Sequence, residues 1–159
     1  MEIKSKPSYK MKKIIVDTNI IFSTLLNSNG TIGDLIFNSD YVFVFYSCDY
    51  MRHEIHKHWS KLIKISKLTD GQLKNAFEKV LTKITFINEA VISSAIWLKA
   101  EQTVKDIDHD DVDFVALTSF LKGCLWTGDK ELYNGLKNKQ FRCVYNTDDI
   151  FKQRDKRRY

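Results

Sequence analysis

The sequence predicts an α/β fold with a mostly parallel central sheet in a single domain, and two observations predict it. Short runs rich in β-branched and aromatic residues alternate along the chain with longer segments of helical periodicity, the pattern of βαβ units. The chain has 159 residues, 43% of them hydrophobic, with one proline and no repeat or low-complexity linker. That is one compact domain, large enough to bury roughly two-thirds of its unfolded surface.

The elements follow in order. Residues 14–16 (IIV) form the first strand, and residues 19–26 and 32–37 form two helices. Residues 41–46 (YVFVFY) form the second strand, followed by a helix over 49–66. A helix over 72–81 is announced by Thr69 and Gln72, which have the spacing of a capping box. Residues 84–87 (ITFI) form the third strand. A long helix over 89–105 places Val91, Ala95, Leu98 and Gln102 roughly on one face. After an acid-rich loop come an apolar helix over 112–121, a strand over 124–126, a last helix over 130–136 and a strand over 143–145.

Charge is distributed unevenly. The net charge is +5, yet residues 1–15 carry five Lys against one Glu and residues 152–159 carry five Lys or Arg against one Asp, so the body between them is acidic. The domain is placed at 11–151, with basic tails at 1–10 and 152–159; basic ends on an acidic body suit a polyanion partner, although such tails also serve solubility alone. No apolar run approaches the ~20 residues of a membrane span, and the basic N-terminus has no apolar stretch behind it. Cys48, Cys124 and Cys143 lack metal-ligand spacing and suit buried thiols in a reducing compartment. The expected location is the cytoplasm.

In open parallel sheets, ligands bind outside the carboxyl ends of the strands. Asp17 follows the first strand there, and Asp129 follows the strand at 124–126. Each alone could simply cap the helix that begins beside it. Together they make a stronger case, because two carboxylates at neighbouring strand ends repel unless a cation joins them. The run 106–113 adds five acids in eight residues just before an apolar helix, with no Lys or Arg between them. The helix macrodipole accounts for part of that charge, and the density calls for a counter-cation. Glu54, on the helix after the second strand, is the fourth candidate. Such an oxygen-only site suits Mg²⁺ or Mn²⁺ rather than Zn²⁺, and its natural substrate is a phosphodiester hydrolysed without a covalent enzyme intermediate.

The segments I-I-V-D-T-N-I (14–20), Glu54, D-D-V-D-F-V-A-L (110–117) and L-W-T-G-D-K-E-L (125–132) together resemble a PIN domain, over nearly the whole chain. The resemblance implies a three-layer α/β/α sandwich and a metal-dependent ribonuclease for single-stranded RNA. It implies Asp17, Glu54, Asp111 and Asp129 as the catalytic and metal-binding acids, with Asn19 and Thr127 orienting the carboxylates or a water. Five aspartates crowd the place of the third acid: Asp111 fits the family spacing before Phe114-Val115-Ala116-Leu117, Asp113 is the first alternative and Asp108 the second. Many short PIN proteins resemble the toxin of a toxin–antitoxin pair, which implies an antitoxin partner and a homodimer.

Three other readings compete. His53-Glu54-Ile55-His56-Lys57-His58 looks like a zinc-protease motif, but that motif needs histidines four apart on one helix face, and Lys57 stands where the second would be. These residues instead join Lys61 and Lys64 in a basic rim for RNA, part of a stretch from Lys57 to Lys83 with seven Lys against Asp70 and Glu78. A solvated helical surface is the alternative reading of that stretch. Tyr50 and Trp59 could stack on bases or belong to the core. An aspartyl-phosphate enzyme would want a second Asp two residues after Asp17, where Asn19 stands. A PIN-like module that binds RNA or protein without cleaving is the non-enzymatic alternative.

Overall fold

A computed structural model describes residues 10–156, so the expected tail at 1–10 and the last three residues of the expected C-terminal tail lie largely outside the description. Five parallel strands form one sheet in the order β3-β2-β1-β4-β5: β1 Lys12–Val16, β2 Phe43–Cys48, β3 Ile84–Ile87, β4 Cys124–Trp126 and β5 Val144–Tyr145. The central strand is buried on both sides, with Ile14, Ile15 and Val16 fully covered, as a parallel sheet under two helical layers requires. The fold is the expected three-layer α/β/α sandwich.

On one face α7 (Val112–Leu121) lies against β1, β2 and β4, and α6 (Ser94–Val104) packs on α7. The other layer gathers round α1 (Thr18–Leu26), which packs against α2 (Thr31–Phe37), α4 (Trp59–Ser66) and α5 (Asp70–Leu81). Gly33 permits close packing at the α1–α2 turn, because a Cβ there would stand 2.2 Å from the Ser28 carbonyl oxygen. Trp126, fully buried on β4, packs against Phe45 of β2 and donates its indole N–H to Thr147 at 3.2 Å. Chain order runs from β1 outward to β2 and β3, then returns past β1 to β4 and β5. The switch point therefore lies between β1 and β4, and a crevice opens at their carboxyl ends.

Several expectations are corrected. The helix expected over 49–66 is two, α3 (Asp49–Lys57) and α4, broken at His58, whose backbone leaves the helical range (φ −105°, ψ 17°). No Gly or Pro marks the break; packing fixes it, with the His58 ring edge-on to Phe22 of α1 and Trp59 turned against Phe77 of α5. The capping box at Thr69 and Gln72 forms as expected, but α5 begins at Asp70. The helix expected over 89–105 is a 3₁₀ turn (Glu89–Val91) followed by α6, which restarts because Ser93 caps it. Its expected apolar face is turned outward: Val91 and Leu98 are exposed, and the buried side runs through Ala100 and Val104.

The helix α8 (Lys130–Asn138) is not the last. Asn146 and Asp149 form a second capping box that starts α9 (Thr147–Asp155), so the boundary expected between 151 and 152 falls inside a helix. Arg154 of that supposed tail is buried, donating to Asp34 at 2.8 Å and to Ser39 at 3.4 Å. The cysteines are also corrected. Cys124 and Cys143 lie side by side in the register of β4 and β5 and form a disulfide, while Cys48 is the buried free thiol expected.

Losing one partner of a buried ion pair leaves an uncompensated charge, which costs about 3–5 kcal/mol. Arg154 is buried but Asp34 is 45% exposed, so the pair is partly screened by water; Asp34→Ala strands the guanidinium and is expected to lower unfolding free energy by about 1–2 kcal/mol. Arg154→Met, which fills the same space and leaves Asp34 free to reach water, is expected to cost less; urea unfolding of the two variants checks the order.

Candidate active site at the strand ends

Two backbone hydrogen bonds set the site. Leaving β1, the Asp17 N–H donates to the Trp126 carbonyl on β4 at 3.1 Å, and Thr127 N–H continues to Tyr145 of β5 at 3.1 Å. The side chains complete the tie. Thr127 Oγ1 donates to Asp17 Oδ2 at 2.7 Å and accepts from the Asp129 N–H at 3.1 Å. Asn19 Nδ2 donates to the same Asp17 oxygen at 3.3 Å, while its Oδ1 accepts from Gly128 N–H at 3.0 Å. Both polar residues expected to orient carboxylates thus lie against Asp17.

Asp17 sits at the N-cap position of α1 but makes no side-chain capping bond; buried, it faces Thr127 instead. Burial pushes its carboxyl up to about 6, against the Thr127 hydrogen bond that lowers it, with Glu54 and Asp129 adding repulsion. Asp129 does cap: its Oδ1 accepts from Glu131 and Leu132 N–H at 2.9 and 3.2 Å. A cap uses one oxygen, so capping and a place in the site are compatible.

Asp111 closes the 3₁₀ turn His109–Asp111 at the entrance to α7. It too makes no capping bond, and its buried Oδ2 has no hydrogen-bond partner. Burial is the main reason its carboxyl is pushed up to about 8, and Asp17, Asp108, Asp129 and Glu54 all add repulsion. Carboxylate oxygens of Asp108, Asp111 and Asp129 lie within 4.8 Å of one another. Glu54, half-buried on α3, accepts from Thr18 Oγ1 at 2.6 Å; burial raises its carboxyl, and Lys57 and His58 pull the other way.

Asp113 points elsewhere. It groups with Cys48 and Glu89 within 4.8 Å, and its carboxyl is raised to about 6 by burial and then by Glu89. Among the described residues no such potential ligand group contains histidine. His56 contacts both the Trp59 and Phe77 rings, and His53 stacks on Tyr50, so these histidines take part in aromatic packing. Tyr50 and Trp59 are half-buried against Phe114 and Phe77. Lys57, Lys61 and Lys64 are exposed on α3 and α4.

Sequence reasoning missed Thr18, which fixes Glu54, and ranked Asp108 last, although it joins Asp111 and Asp129. Thr18 stands inside the D-T-N motif, but its partner lies 36 residues away and leaves no local signal.

The donor set fits a hard divalent cation. It consists only of carboxylate oxygens, it contains a buried oxygen that no protein donor satisfies, and the acids round Asp111 push its carboxyl up, which a cation would relieve.

Compared with known proteins, residues 15–148 match the family model described as PIN domain. No curated protein matches the sequence. Among solved structures, a chain in the crystal structure of VapBC2 from Rickettsia felis bound to a DNA fragment from their promoter shares the fold. The TM-score is 0.64 at 12% identity, covering 84% of this chain and 98% of that one.

Raised carboxyl pKa values mean that the folded protein holds these protons more tightly than the unfolded chain, whose Asp titrates near 3.9. Their stabilising contribution is complete below about pH 4 and is lost as pH rises through about 6 for Asp17 and about 8 for Asp111. Without divalent cations the melting temperature is expected to fall between pH 6 and 8; Asp111→Asn should flatten that fall, and a divalent cation should reverse it in the parent protein only. Thr127→Val keeps the shape but removes the donor to Asp17. It is expected to weaken divalent-cation affinity by roughly 10- to 100-fold, measured by calorimetric titration.

Proposed function

The chain belongs to the PIN-domain family, and we propose that it is a metal-dependent endoribonuclease that hydrolyses phosphodiester bonds of single-stranded RNA. The family is typically one of nucleases, and the acids of this chain cluster where its sheet binds ligands. The observation that carries the reading is the unsatisfied, buried oxygen of Asp111, whose carboxylate groups with those of Asp108 and Asp129.

Asp17, Asp111 and Asp129 hold Mg²⁺ or Mn²⁺, with Asp108 beside them and Glu54 acting directly or through water. The cation supplies Lewis acidity, lowering the pKa of a water and neutralising charge on the phosphate. The protein does the rest. Thr127 and Asn19 fix the Asp17 carboxylate, and Asp129, immobilised by its cap, holds its own with little freedom. Thr18 occupies Glu54 Oε1, which leaves Oε2 to take a proton from the attacking water. Lys57, Lys61 and Lys64 on the neighbouring helices form the cationic approach for the RNA backbone.

A chain in the crystal structure of VapBC2 bound to a promoter DNA fragment shares this fold, which supports a toxin role with an antitoxin partner. In this reading the antitoxin covers the crevice and the enzyme acts on RNA in the cytoplasm. No helix among the described residues is long and apolar enough to cross a membrane. A homodimer is the expected assembly of the nuclease.

Incubated with single-stranded RNA in Mg²⁺ or Mn²⁺, the protein is expected to cleave. EDTA and Asp17→Asn should each abolish cleavage, and Asp129→Asn should lower it by roughly 100-fold or more. Metal-loaded, folded protein that binds RNA without cutting any would replace this reading with that of a catalytically silent binding module.

A further inference from the structure

The sheet has a second pole. At the amino ends of β1, β4 and β5, opposite the acidic crevice, an open cavity of about 620 Å³ is lined by Lys10, Lys12, Lys13, Lys122 and Arg142, with no acidic residue in its wall. Lys12 and Lys13 open β1, Lys122 ends α7 in the left-handed conformation (φ 54°), and Arg142 precedes β5. The cations therefore come from three elements that converge only in the folded sheet. The contacts of the two β1 lysines are with neutral groups. Lys12 Nζ donates to Tyr145 Oη at 3.0 Å and Gln153 Oε1 at 2.9 Å, and Lys13 Nζ donates to the Leu121 carbonyl at 3.4 Å. Among the described residues, none of Lys12, Lys13, Lys122 and Arg142 pairs with a carboxylate. These four cations therefore stand together on one pole without a neutralising carboxylate among the described residues.

We infer that this basic pole is a binding site for single-stranded nucleic acid, separate from the carboxylate crevice. Like charges held in one cavity repel unless an anion neutralises them, and a backbone with one phosphate per nucleotide offers several in a row. The wall is not purely cationic: Tyr145, half-buried and overhung by Lys12 Nζ at 5.3 Å from its ring centre, places an aromatic side chain among the cations. Cations beside an aromatic platform suit a strand that presents phosphates and bases together, whereas an acidic peptide would use the charge and leave the ring idle. β1 is five residues long, so the two poles stand about 16 Å apart at ~3.3 Å per residue. A strand held at the basic pole and a bond cut at the acidic one would be different parts of one molecule or two molecules. The inference depends on no cleavage step.

The test is fluorescence anisotropy with labelled 12-nucleotide single-stranded RNA and DNA of one sequence. It is run in EDTA, so that a failure of nuclease activity cannot register as a failure here. Two triple variants are compared: Lys13→Gln with Lys122→Gln and Arg142→Gln at the pole, and Lys79→Gln with Lys99→Gln and Lys105→Gln, exposed lysines that line neither the pole nor the crevice. The pole variant is expected to bind at least tenfold more weakly. Its slope of log affinity against log salt should fall by about 2, at ~0.7 per phosphate contact on a single strand. The Lys79, Lys99 and Lys105 set should leave most of the affinity in place. RNA and DNA bound alike would indicate backbone reading; RNA preferred would add contacts to the 2′-hydroxyl, and both support the site. Unchanged binding in the pole variant overturns the inference. So does displacement of the RNA by poly-glutamate of equal charge at equal concentration, which would make the pole a site for acidic protein. Arg142→Gln alone, at an exposed position, is expected to weaken binding by about threefold and decides the matter if the triple variant does not fold.

Discussion

Carboxylates placed at the ends of adjoining strands repel one another, and most of the architecture round the crevice resists that repulsion. β1 and β4 are held in register by backbone bonds as far as Val16 and Trp126, with the Asp17 N–H making the last of them to the Trp126 carbonyl. Beyond that point a threonine hydroxyl and an asparagine amide take over, tying Asp17 to the Thr127-Gly128-Asp129 turn. The helices contribute differently. α8 gives its first N–H groups to Asp129, while α1 and α7 start beside Asp17 and Asp111 and receive no capping bond from them. Two helix starts thus forgo a stabilising cap worth about 1 kcal/mol each, and the acids are left available to something other than the protein.

That arrangement stores a cost in the folded state. Asp111 combines burial, an unsatisfied oxygen and four acidic neighbours, and a side chain in that position destabilises the fold unless it is protonated or joined by a cation. The layers beneath are built to bear it: a central strand whose last three residues, Ile14, Ile15 and Val16, are apolar and fully buried, a fully buried Trp126 directly under the Thr127 turn, and α7 spread across three strands. The disulfide between Cys124 and Cys143 fastens β4 to β5 at the far end of the same strands. Rigidity in the scaffold and strain in the site are two sides of one design.

How much of this could be seen in the sequence depends on range. All five strands and the acids that follow two of them were legible, because strand composition and the residue after a strand are local features. The break at His58 was not, since neither Gly nor Pro marks it and the ring contacts that fix it come from Phe22 and Phe77, far off in the chain. Val91 and Leu98 misled because helical spacing shows that a face exists without showing which face is buried. α9 escaped because its capping box begins with Asn146 rather than Ser or Thr, and because the charge of residues 152–159 suggested a solvated tail when Arg154 is in fact buried on Asp34. The pairing of Cys124 with Cys143 required knowing that β4 and β5 are neighbours. Choosing among Asp108, Asp111 and Asp113 required the turn geometry before α7, which sends Asp113 toward Cys48 and Glu89 and keeps the other two with Asp129.

The contact between Lys12 and Gln153 has a practical consequence for handling the molecule. It brings the first strand and the last helix together, so the described ends of the chain are neighbours on the sheet's amino side. A purification tag or fusion partner joined directly to the described ends, at Lys10 or Lys156, starts from that side, remote from the crevice yet beside the cluster of lysines. Assays of the crevice would be little disturbed by it, whereas assays of the basic surface would be read through it unless it were cleaved off. The same adjacency makes the described domain, residues 10–156, a candidate for circular permutation: its two ends could be joined by a short linker and new ones opened in an exposed loop without crossing the sheet.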